Sequence, residues 1–207
     1  MPLDPILPIP TFRSSPTRGG PCLLTGGSSA TVRSMGLGVD ICRWLGIERP
    51  EREREVLEAV CEVLDHLTPS RAHYVAAFAY LLGRVAGADV EITADERKVM
   101  ERLVAREGAL STEEASAVVT LALTEGHRFG GTHNLHVTRE FAAQTTDEQR
   151  MGLLRCLFAV SAADANVTVL EDNEIRGITR ELRIEHADFI RARSEVRAHL
   201  AVLRHNL

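Results

Sequence analysis

The sequence predicts an all-α protein, a compact bundle of about seven to eight helices. Three observations point there. Apolar residues recur at every third or fourth position from Glu51 onward, no stretch alternates apolar with polar, and Ser/Thr-x-x-Glu/Gln boxes mark helix starts. A strand would need the period of two that is missing.

In chain order, Ile41 to Ile47, with Trp44, is a short amphipathic start expected to dock on its own domain. The run Glu51-Arg52-Glu53-Arg54-Glu55 alternates in sign and reads as a solvated helix start. Val56, Leu57, Val60, Val63, Leu64 and Leu67 then share a face that Thr68-Pro69 ends. Tyr74, Phe78, Leu81, Leu82 and Val85 mark the next helix, and Val99, Met100, Leu103 and Val104 the one after it. Ala115, Val118, Val119, Leu121 and Ala122 follow Ser111 in the same manner. Gly126 to Gly131 reads as a loop, then a short helix carries Leu135, Val137 and Phe141 and a longer one Leu153, Leu154, Leu157, Phe158 and Val160. Ile175, Ile178 and Leu182 mark one further helix, and Phe189, Ile190, Val196, Leu200 and Leu203 the last. Capping boxes fall at Thr93–Glu96, Ser111–Glu114, Thr146–Gln149 and Thr168–Glu171, where hydroxyl and side-chain acceptor satisfy orphan N–H groups reciprocally.

Composition narrows the function classes. With 29 acidic and 24 basic residues in 207, the net charge of −5 disfavours nucleic acid or anionic lipid as partners. Aromatics at 4% leave few stacking platforms for bases. Cys22, Cys42, Cys61 and Cys156 show no CxxC spacing, so reduced thiols in a cytoplasm are expected. No run is long and apolar enough for a membrane span, and the proline-broken start lacks the form of an export signal. Residues 1–34 hold most of the prolines and read as a disordered tail, with Met35 as a candidate natural start and residues 35–207 as the domain.

The chain also repeats itself. Sliding it by 75 positions pairs Leu82 with Leu157, Val85 with Val160, Asp89 with Asp164, Thr93 with Thr168 and Glu96 with Glu171. Two pseudo-symmetric helix–link–helix units are implied. Asp89, Glu91 and Glu96 in one half, and Asp164, Asn166 and Glu171 in the other, offer oxygen donors that converge where one helix ends and the next begins. Clustered carboxylates repel unless neutralised, and all-oxygen sets suit hard cations such as Ca²⁺, Mg²⁺ or Mn²⁺. The link is too short for an EF-hand loop. The same residues also serve a purely structural reading, in which the glutamates complete capping boxes and the aspartates accept from link amides.

The strings Val85-Ala86-Gly87-Ala88-Asp89-Val90-Glu91-Ile92 with Glu96, and Val160-Ser161-Ala162-Ala163-Asp164-Ala165-Asn166-Val167 with Glu171, resemble the duplicated Ala-Asp-Gly-x-Ile…Glu motif of the TerB-like tellurite-resistance family. Leu182 to Ile190 resembles the segment following its second motif, and Asn134 to Thr138 the one preceding its last helices. The resemblance covers about residues 35–205. It implies a non-enzymatic all-α domain with pseudo-two-fold repeats, acidic residues proposed to hold a divalent metal, and a link to tellurite-type stress. Val90 and Ala165 stand where the motif has Gly, and Asn166 replaces an acid, which lowers the cation affinity expected of the second half. No His-Pro-Asp occurs, so the co-chaperone role that some relatives have does not carry over.

Other constellations carry less. His127, His133 and His136 are expected as solvated histidines of one loop. No GxSxG elbow or phosphate loop occurs, and Lys98 is the sole lysine, so no enzyme is indicated. Two functions follow: a cation-binding module with an unknown protein partner, or a metal-independent helical interaction domain.

Overall fold

The computed structural model describes residues 36–47, 54–89, 92–126, 131–163 and 167–205. Among these residues there are nine helices and no strand: α1 (Leu37–Trp44), α2 (Arg54–Asp65), α3 (Pro69–Ala86), α4 (Ala94–Gly108), α5 (Thr112–Gly126), α6 (Gly131–Gln144), α7 (Asp147–Ser161), α8 (Val169–Glu181) and α9 (His186–His205). The tail, Glu51 to Glu53 and His127 lie outside the described residues.

The central helices α3 and α7 pack on each other, α4 crosses onto α7, and α8 crosses onto α3. This exchange is the spatial form of the 75-residue repeat. α3 ends at Ala86 and α7 at Ser161, while α4 begins at Ala94 and α8 at Val169, so both boundaries recur at one spacing. The turns match as well: Gly87 has φ −92° and ψ 3°, Ala162 has φ −96° and ψ 2°, and both N–H groups return to the preceding helix. Since Ala162 adopts the same backbone as Gly87, the turn needs no glycine.

Helix starts follow local chemistry. The Thr93, Thr146 and Thr168 boxes are closed in both directions, and Ser111 Oγ accepts from Glu114 N while Ser111 N donates to Glu114 Oε2. The core is Tyr74, Phe78, Leu81, Leu82, Met100, Leu153, Leu154, Leu157, Ile175 and Phe189 with their neighbours, all buried.

α1 sits against α2 and α3. Trp44 packs edge-on against His73 and His136, with ring centroids 5.4 and 6.2 Å away, so it docks on its own domain. One reading is corrected here. His133 and His136 lie on α6, which starts at Gly131, and not in a loop. His136 is exposed as expected, but His133 is half-buried, its Nε2 2.7 Å from Leu45 O. Packing beneath α1 holds this turn helical despite its glycine, since tertiary contacts override intrinsic propensity.

Candidate functional site

The α3–α7 crossing delivers the start of α4 and the start of α8 to one place. In the first half, Thr93 N and Thr93 Oγ1 donate to Glu96 Oε2 at 2.7 and 2.9 Å, and Glu96 N donates back to Thr93 Oγ1 at 3.2 Å. In the second, Thr168 N donates to Glu171 Oε2 at 2.8 Å and Glu171 N to Thr168 Oγ1 at 3.2 Å. Both side chains are deeply buried, with Glu96 4% and Glu171 1% exposed. Each cap engages Oε2, while Glu171 Oε1 is buried with no hydrogen-bond donor.

The two carboxyls stand within hydrogen-bonding reach of each other. Burial pushes the Glu96 carboxyl up to about 7, the Thr93 hydrogen bonds oppose that rise, and the Glu171 charge reinforces it. Two ionised carboxylates offer only acceptors to one another. A proton or a cation between them relieves the repulsion and supplies Glu171 Oε1 with a partner.

Of the six residues singled out by sequence, Glu96 and Glu171 are therefore brought together, and across the two halves rather than within one. Asp89 closes the turn after α3 and is half-buried. Glu91, Asp164 and Asn166 lie outside the described residues. Among the described residues no three His, Cys, Asp or Glu side chains gather as a metal site.

Arg84, which the sequence reading passed over, supports the first link from behind. Its side chain is 4% exposed and pairs with Glu174 at 2.8 Å and Glu181 at 3.0 Å. It also donates to Thr138 Oγ1 at 2.8 Å. One guanidinium thus ties α3 to α6 and α8. The available signal was its isolation, the only formal charge between Tyr74 and Asp89. An open hollow of about 410 Å³ lies beside it, lined by Arg84, Gly87, Ala88, Asn134, Asn173 and Glu174 among others.

A family model described as "Tellurite resistance protein TerB" matches residues 75–194, which is more than half of the chain. The chain belongs to the TerB family. No curated protein and no solved structure matches it. The TerB match runs from α3 into α9 and so contains both links, Glu96, Glu171 and Arg84, whereas α1 and α2 precede it. Among the described residues no helix of this TerB domain is long and apolar enough to cross a membrane.

Proposed function

We propose that this TerB-family chain is a non-enzymatic cytoplasmic module that binds a divalent cation, Ca²⁺, Mg²⁺ or Mn²⁺. Asp89, Glu91, Glu96, Asp164, Asn166 and Glu171 are its donors, and a tellurite-type stress response exerted through a protein partner is its setting. The observation that carries this reading is the opposed pair of buried glutamates with an orphaned Glu171 Oε1. Capping alone does not require that charge. Gln149, 5% exposed, is nearly as buried as Glu96 and closes the Thr146 box with a neutral amide. A box that uses Glu twice, where the two copies meet, needs a reason beyond the cap, and cation binding supplies one. The donor set is all oxygen and hard, as these cations prefer. A bound cation would neutralise the buried charge and couple the two halves, because one donor set comes from each.

A second reading is a metal-independent interaction domain. It is favoured by the closed caps and by Val167, Val169 and Leu170, large apolar residues exposed around the start of α8. Calorimetric titration of the chelator-treated full chain with Ca²⁺, Mg²⁺ and Mn²⁺ separates the two readings, with Glu96→Gln and Asp89→Ala beside it. Saturable binding lost in both variants is expected, and Glu96→Gln should keep its fold because Gln closes a box as Gln149 does. No binding by the wild type, with both variants folded, would leave the interaction domain as the function.

A further inference from the structure

The sulfurs of Cys42 on α1 and Cys61 on α2 lie 3.8 Å apart, at van der Waals contact. The two helices approach closely because of Gly38, one turn before Cys42. A Cβ there would overlap the Cys61 carbonyl and Cα. Gly38 N also donates to Asp65 Oδ1 at 2.6 Å, one turn beyond Cys61, so the approach is held at two levels. Cys42 is 3% exposed, whereas Cys61 is half-buried and open to a small reagent. Cys156, by contrast, is fully buried in the core.

We propose that Cys42 and Cys61 form a reversible dithiol–disulfide pair, oxidised by a peroxide, that staples α1 to α2. The Cys61 thiolate attacks the O–O bond, so an S–O bond forms, the O–O bond breaks, and the leaving oxygen departs with a proton as water or an alcohol. Cys42 sulfur then attacks Cys61 sulfur. The S–S bond forms, the S–O bond breaks, and hydroxide leaves with the Cys42 proton as water. The thiols lose two electrons in all, and the peroxide gains them. Closing from contact to a bond of about 2.05 Å brings the side chains together along a line the helices already define.

The consequence falls on α1. This helix carries Trp44 over His73 and His136, and its following Leu45 O meets His133. A covalent link to α2 holds that arrangement in the oxidised protein. The thiol form leaves it to packing and to hydrogen bonds such as Gly38 N to Asp65 Oδ1. Both helices precede the TerB match, so the pair lies outside the matched residues.

The test uses the full chain with Cys22→Ser, which removes the cysteine outside the described residues, treated with hydrogen peroxide and then desalted. Trypsin cuts at Arg43, Arg52 and Arg54 and separates the two cysteines, so a disulfide appears as the linked peptides 34–43 and 55–71. Expected are that linked pair in monomeric protein, a raised Tm, and return of both to the starting state with dithiothreitol. Cys61→Ala, at a half-buried position, should lose the link and the Tm response together. Sulfinic acid at Cys61 with Cys42 unchanged, links only between separate chains, or a link without any change in Tm would overturn the proposal.

Discussion

The two halves share one helical plan but differ in what stands behind their links. In the first, Arg84 of α3 lies under the Gly87–Ala88 turn, fully engaged by Glu174 and Glu181. Its counterpart 75 positions on is Ala159, which carries no charge. The capping geometry repeats within a tenth of an ångström in the shared bonds, yet only Thr93 adds a hydroxyl donation to its glutamate. Local hydrogen bonds have been kept in both copies, while the charged support exists in one. The lesson is that the repeat preserves whatever places a carboxylate at a helix start, and the surroundings are free to diverge.

Breaking the charged support should give the largest effect. Arg84→Ala leaves two carboxylates and Thr138 Oγ1 without their shared donor, and a loss of about 3 kcal/mol is expected in urea unfolding. Ala159→Ser at the equivalent, half-buried place in α7 leaves no carboxylate without its donor and should cost about 1 kcal/mol or less.

The facing glutamates sharpen the comparison through pH. Glu96 holds its proton more tightly folded than unfolded, about 7 against 4.5, so burial of its charge opposes folding once that charge forms. The contribution of Glu96 to the stability of the cation-free protein is thus fully present below about pH 4.5, falls as pH rises to about 7, and is level above it, each tenfold in proton affinity being worth about 1.4 kcal/mol. Glu96→Gln should flatten that fall and raise cation-free stability at pH 8 by about 2 kcal/mol, read from denaturant midpoints at several pH values. An unchanged slope would show that the pair is not the source.

Two mid-helix glycines give the smallest and most opposite effects. A Cβ on Gly83 would meet Ala122 O at 2.8 Å, where α3 crosses α5. Gly83→Ala should therefore lose about 1–2 kcal/mol net of its better helix propensity. Gly177 on α8 has nothing within 4 Å of such a Cβ. Gly177→Ala should gain about 0.5–1 kcal/mol, visible as a raised Tm.

The sequence by itself determined the features that depend on near neighbours. Helical class, the four capping boxes and the 75-residue repeat all rest on residues three or four apart, or on one pattern written twice, and all are present in the structure. The family was legible for the same reason, through Ala88-Asp89 and Ala163-Asp164 with their following glutamates. The start of α6 was not, because glycine and histidine spacing suggested a loop while the contact of His133 with Leu45 O, 88 positions away, held a helix. Only the tertiary structure decided that Glu96 and Glu171 share one place, that Arg84 reaches Glu174 and Glu181, and that Cys42 meets Cys61. Helix periodicity fixes which face of a helix is buried, but which distant helix covers that face is settled by packing, and these side chains meet only once α3 and α7 have crossed or α1 has found α2.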